Sequence, residues 1–228
     1  MSHRGEFAPF GSDHLAVLAA LAAGAAVLIV ARRRLMGRDD RWVRRPVAVT
    51  LAANELVSYG VALRQGSVGL PLQLCDLALA LTVWALLSLR PRVSELAYFW
   101  GLGGSLQAIL TPDLSQGFGT YWWTQFFLSH TGIVLSVVYL AVTGRVAPTQ
   151  RSVWRAWGWA NVYLAVAGTV NWALGTNYGY LARKPAHPSL LDAFGPWPFY
   201  VLAMEVVAVG FFYLYYAPFA GSKRWLNR

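Results

Sequence analysis

Apolar residues arrive in seven blocks of roughly 17 to 23, each about the length a helix needs to cross some 30 Å of hydrocarbon. The blocks cover residues 14–31, 46–63, 71–89, 94–111, 122–143, 153–175 and 197–217, and the polar stretches between them are short. The pattern predicts an all-α, polytopic membrane protein: one bundle of seven transmembrane helices with antiparallel neighbours, forming a single domain over residues 1–228. Proline supports these limits, because it is tolerated at a helix's first turn or just past its end. Pro46, Pro71, Pro91, Pro112, Pro148, Pro196 and Pro218 are all expected at boundaries.

Composition points the same way. The chain is 57% hydrophobic and only 13% charged, with a mean hydropathy of +0.43, too little polar surface to cover a soluble globule of this size. The net charge of +9 raises the question of nucleic acid, but its placement answers otherwise. Arginines 32, 33, 34, 38, 41, 44 and 45 crowd the first connection, Arg90 and Arg92 the third, Arg145, Arg151 and Arg155 the fifth, and Lys223, Arg224 and Arg228 end the chain. Only Arg4, Arg64, Arg183 and Lys184 fall on the other side. The positive-inside rule then predicts an outside amino terminus, a cytoplasmic carboxyl terminus and residence in the cytoplasmic membrane as a multi-pass protein. The basic excess is a topology signal with attraction to anionic lipid as a by-product, and no nucleic-acid partner is expected. The first apolar block precedes its arginines, so it is expected to be retained as an anchor.

Polar residues inside the apolar blocks are the next signal, since they cost free energy in hydrocarbon. Counted inward at 1.5 Å per residue, Cys75, Gln107 and Asn171 lie about 6 Å below the outer boundary, and His130, Glu205 and Glu55 about 10–12 Å. His14, beside Asp13, sits just above this layer. The agreement in depth predicts one polar pocket in the outer half of the bundle. A single cysteine excludes an intramolecular disulfide. As a nucleophile, Cys75 needs a base, and His130 is the one histidine well inside a block. Asp76, Glu55 or Glu205 could orient the imidazole, and Gln73 or Gln107 could donate to an oxyanion. Each residue also has a plainer reading: the thiol as a small hydrophobe, His130 as a bond between helices, the carboxylates as partners of Asn171 or Gln107.

The strings LPLQLCD (70–76), LQAILTPDL (106–114), FFLSH (126–130), NYGYLARKP (177–185) and SLLDAFGPWPFY (189–200), with FGSDH (10–14) at the start, run in order through the chain. Together they resemble the YwaF-like family of bacterial seven-helix membrane proteins, which includes eukaryotic transmembrane protein 164. The resemblance implies a membrane-embedded acyltransferase working through a cysteine and a histidine, here Cys75 and His130. Where the family usually reads LPLHLCD, this chain carries Gln73.

The expectation is therefore a lipid acyltransferase that moves a fatty acyl chain between phospholipid or lysophospholipid substrates through a thioester on Cys75. His130 would be the base, and no metal or cofactor is expected. Arg183, Lys184 and the loop around Asn177, with an outer belt of Trp and Tyr, would meet the headgroup. Two alternatives stand beside it. One is a metal-dependent intramembrane lipid hydrolase using His14, His130 and a carboxylate. The other is a non-enzymatic carrier of lipid or a small molecule whose binding site is the polar layer.

Overall fold

The computed structural model describes residues 5–67, 69–186 and 189–221. Arg4, Lys223, Arg224 and Arg228, used above to orient the chain, lie outside the described residues. Among the described residues there are seven long helices and no β-strand beyond one isolated bridge between Glu6 and Gln116. We label them α1 (Ser12–Leu35), α2 (Arg41–Arg64), α3 (Leu74–Ser88), α4 (residues 91–110), α5 (Tyr121–Val142), α6 (Gln150–Leu174) and α7 (Phe199–Tyr216). Within α4, a π-helical segment, Gly101–Leu106, joins the α-helical Pro91–Trp100 to Gln107–Leu110.

Local chemistry explains the helix ends. Pro91 opens α4, where a missing N–H costs nothing. Thr120 accepts from the Trp123 N–H to cap α5, and Thr149 and Ser152 cap each other's backbone at the start of α6. Gly175 closes α6 in the left-handed conformation. Pro46 departs from expectation. It lies inside α2, which begins five residues earlier because Asp40 accepts the Arg44 side chain and both the Val43 and Arg44 N–H groups bond to the Asp40 carbonyl.

α5 is the central element: it packs against α1, α2, α3 and α4, and half of its apolar window is buried, against 11% for α1 and 17% for α2. The other helices turn large apolar side chains outward, among them Val30, Leu56, Val206 and Trp172, the last 87% exposed. Such faces are stable against lipid and unstable against water. Among the described residues four helices are long and apolar enough to cross a membrane, Ser12–Leu35, Arg41–Arg64, Tyr121–Val142 and Phe199–Phe219, and Leu74–Ser88 is a shorter apolar one. The protein is a membrane protein.

The arginine-rich connections share one end of the bundle. Arg145 pairs with Asp40 at 2.6 Å and donates to the Arg38 carbonyl. Arg44 pairs with Asp40 at 2.7 Å and donates to the Leu86 carbonyl, and Arg155 pairs with Glu95. At the opposite end the chain preceding α1 lies against the α4–α5 connection through the Phe7 N–H to the Ser115 carbonyl.

Candidate active site

α3 begins later than its apolar block, and this positions the cysteine. Fifteen helical residues rise about 22 Å, short of a hydrocarbon core of about 30 Å. Residues 69–73 run non-helically instead, so their backbone groups need partners. The Leu70 N–H donates to the Tyr178 hydroxyl at 2.8 Å, the Tyr163 hydroxyl donates to the Leu72 carbonyl at 3.0 Å, and the Gln73 N–H donates to Asp76 at 2.9 Å. The Gly179 N–H donates to Gln73 Oε1 at 3.0 Å. Gly179 has φ +64°, and a Cβ there would sit 2.5 Å from the Tyr163 hydroxyl, so this clasp requires glycine. Cys75 is thus held in the first turn of α3, nearer the helix end than the block limits implied.

His130 comes from the middle of α5, where it is 8% exposed and stacks on Phe126 at 4.1 Å between ring centroids. Its Nδ1 lies 2.7 Å from the Phe126 carbonyl. A carbonyl oxygen only accepts, so Nδ1 carries the proton and, in the neutral ring, Nε2 carries the lone pair. Among the described residues Nε2 has no hydrogen-bond partner.

Both side chains line one cavity of about 540 Å³ that also takes in Glu55, Gln73, Asp76, Gln107 and Glu205. Its volume falls in the range of about 300–1,000 Å³ typical of ligand pockets. Most of its wall is apolar, supplied by Leu79, Trp100, Ile133, Met204, Phe211 and Phe212. The carboxylates are bound only to neutral groups. Asp76 accepts from the Gln73 N–H and, at 3.4 Å, from the Tyr59 hydroxyl. Glu55 accepts from Gln125 at 3.3 Å, and Glu205 from Asn161 at 2.9 Å. Among the described residues none of the three has an ion-pair partner, and none bonds to His130. Because Gln73 accepts with its oxygen, its NH₂ group remains free to donate.

The other expected site residues are elsewhere. His14 is 1% exposed, accepts from the Phe10 N–H with Nδ1 and donates to the Ile109 carbonyl with Nε2 at 2.7 Å. Nδ1 is spent on the segment just before α1 and Nε2 on pinning α1 to the end of α4, so the ligand role considered for His14 fails. Among the described residues no three His, Cys, Asp or Glu side chains are grouped to hold a metal ion. Asn171 accepts from the Tyr178 N–H at 2.7 Å and from the Thr176 hydroxyl, and donates to the Tyr178 carbonyl. Asn177 accepts from the Ala182 and Arg183 N–H groups and donates to the Arg183 carbonyl. These two asparagines build the loop that clasps residues 69–73; they do not line the cavity. Nor do Arg183, which is exposed, and Lys184, which lies 3.7 Å from Asp192 and over the Tyr200 ring.

Several cavity residues were not among the expected site residues: Gln125, Ser129, Tyr163 and Asp113, with Tyr180 expected only in the aromatic belt. Gln125 and Ser129 had a readable signal, polar side chains four apart on an apolar helix that also carries His130. Tyr180 was expected only as part of the outer aromatic belt, where tyrosine is ordinary, and Tyr163, in the middle of its block, showed no more than a hydroxyl among apolar residues.

The model of the TMEM164 family matches residues 9–216, nearly the whole chain. The chain belongs to the TMEM164 family. It is also similar to an uncharacterized protein of Treponema pallidum (strain Nichols), 26% identical over 235 residues spanning 100% of this chain and 96% of that protein. No solved structure matches significantly. The strings that line the cavity, residues 70–76, 106–114 and 126–130, all fall inside the family match.

Proposed function

We propose that the protein is an intramembrane lipid acyltransferase with Cys75 as nucleophile and His130 as general base. The observation that carries the reading is one mostly apolar cavity lined by both side chains, with the Nε2 lone pair of His130 left free by the Phe126 bond. Membership of the TMEM164 family supports it. The finer topology belongs to the same proposal: seven spans in the cytoplasmic membrane, with the arginine-rich end inside and the cavity toward the outer leaflet.

Nε2 takes the thiol proton, and the thiolate attacks the ester carbonyl of a phospholipid. The Gln73 NH₂ group, and Gln107 from α4, donate to the oxyanion. As the C–O bond breaks, His130 returns its proton to the departing lysolipid oxygen, which leaves a thioester on Cys75. In the second half His130 removes the proton of an acceptor hydroxyl, that oxygen attacks the thioester, and the sulfur leaves as thiolate to be reprotonated. The apolar wall holds the acyl chain and limits water, which favours transfer over hydrolysis. Asp76 supports this arrangement by capping α3 and fixing the backbone at Gln73; it is a positioning residue. Arg183 and Lys184, on the loop beside the cavity, would meet the lipid phosphate.

The test is labelling of the purified, full-length protein with a lipid electrophile, followed by peptide mapping and by acyl exchange in liposomes. Label on Cys75 that His130→Ala suppresses is the expected result. Full exchange by correctly inserted Cys75→Ala would reject the covalent route.

A further inference from the structure

α4 and α6 both start at the arginine-rich end and run side by side, with the Trp100 indole N–H donating to the Ala156 carbonyl at 3.2 Å. Spacings of three and four place Arg92, Glu95 and Leu96 on one face of α4, and Ser152, Arg155, Ala156 and Trp159 on one face of α6. The two faces enclose a cleft of about 50 Å³ that shares no residue with the large cavity. Arg155 donates to Glu95 and, at 3.0 Å, to the Ser152 hydroxyl. Among the described residues both of these bonds use Nη2, so Nη1 and Nε keep their N–H groups for another acceptor. The carboxylate is the inward member of the pair, 13% exposed against 44% for the guanidinium, so the cation is what the cleft presents. Among the described residues Arg92 has no ion-pair partner. Two guanidinium groups against one carboxylate leave the cleft with an excess of one positive charge.

Polarity is graded along the cleft. Arg92 and Ser152 stand in the first turn of their helices, and Glu95 and Arg155 follow. Trp159, 56% exposed, comes one turn after Arg155, about 6 Å deeper into the span. Charge at the helix ends followed by an exposed indole matches the order of a lipid, headgroup first and chains after, and basic pockets between membrane helices on this side suit anionic headgroups. We infer that the cleft binds an anionic phospholipid of the leaflet on the arginine-rich side. Arg92 and Arg155 donate to the phosphate oxygens, and Trp159 lies along the upper part of the chains. A zwitterionic lipid fits less well, because its own ammonium meets two guanidinium groups while the one carboxylate is already spent on Arg155. The site uses neither Cys75 nor His130, so it is independent of the acyl-transfer reading.

Binding is read by native mass spectrometry of the purified, full-length protein, titrated with phosphatidylglycerol or with phosphatidylcholine of the same chains. Phosphatidylglycerol is expected to bind the more tightly. Arg92→Gln, at an exposed side chain, is expected to weaken phosphatidylglycerol about fivefold, the contribution of one basic side chain at an anionic surface, and to leave phosphatidylcholine unchanged. Glu95→Gln can still accept from Arg155 but removes the negative charge, and is expected to tighten phosphatidylglycerol. Arg45→Gln, exposed on α2 and outside the cleft, is the control and should change neither lipid. Equal weakening by Arg92→Gln and Arg45→Gln would mean diffuse attraction to the basic end and overturn the site, as would equal affinity for the two lipids or a Glu95→Gln protein that binds phosphatidylglycerol no more tightly. Displacement of the lipid by an equal concentration of glycerol phosphate would assign the cleft to a soluble phosphate ester and overturn the lipid as its ligand.

Discussion

Two groups of charged side chains lie at opposite ends of the bundle and solve the same problem in opposite ways. At the arginine-rich end, Asp40 is 5% exposed and saturated: it pairs with Arg44 and Arg145 and accepts the Tyr139 hydroxyl at 2.5 Å. In the cavity, Glu55, Asp76 and Glu205 have amide, hydroxyl and backbone partners but, among the described residues, no cation. The first group is closed and ties α2, the end of α3 and the loop after α5 together, since Arg44 also donates to the Leu86 carbonyl and Arg145 to the Arg38 carbonyl. The second leaves bonding capacity facing a cavity. A buried charge that is fully paired carries structure, whereas polar groups gathered around space are the mark of a site.

That difference can be pressed from both sides. The largest effect is expected in the cavity: Cys75→Ala should lower acyl transfer on the order of 10⁴-fold, and His130→Ala about 10²–10⁴-fold, with thermal unfolding in detergent little altered. Retained activity in both variants would remove the catalytic half of the contrast. At the other end the balance reverses. Asp40→Ala leaves Arg44 buried without a counter-charge, removes the partner of the half-buried Arg145, and should cost about 3–5 kcal/mol of stability. A melting temperature unchanged from the parent would mean that the pair is dispensable.

A smaller effect separates the groups by pH. Burial by itself would raise the Asp40 carboxyl, but the Tyr139 and Arg44 hydrogen bonds and the charges of Arg145 and Arg44 outweigh it, so the group lies below its ordinary value of 3.8. In acid the unfolded chain takes up this proton first. The stabilisation is therefore complete above about pH 4 and is lost as pH falls through the lowered native value. Asp40→Asn should flatten the acid limb of a stability-versus-pH curve; an identical limb in both proteins would exclude Asp40 as its source. The smallest change is expected for Glu205→Gln, which can still accept from Asn161 and should shift stability by less than about 1 kcal/mol. A loss as large as that of Asp40→Ala would place Glu205 with the structural charges.

The arginines show where reading along the chain worked and where it reached its limit. Their concentration in alternate connections correctly forecast that those connections share an end, because hydropathy and charge are read locally. That Arg44 and Arg145 would both pair with a buried Asp40 was not legible, since it depends on which helices meet. Each proline of the pattern falls at or within a few residues of a helix limit except Pro46, where Asp40 starts α2 early through bonds that a residue list does not reveal.

The polar layer divides the same way. Counting depth along each helix was enough to gather Cys75, His130, Glu55, Gln107 and Glu205 near one level, and all five line the cavity. Depth says nothing about azimuth, however, so the same count included Asn171 and His14, whose bonds turn them toward the loop and α4. The π turn and the tyrosine clasp on residues 69–73 came only from the packed bundle. Periodicity along a chain determines that helices form and which stretches meet lipid; which side chains share a cavity depends on how those helices cross, and crossing is a property of contacts between residues far apart in sequence.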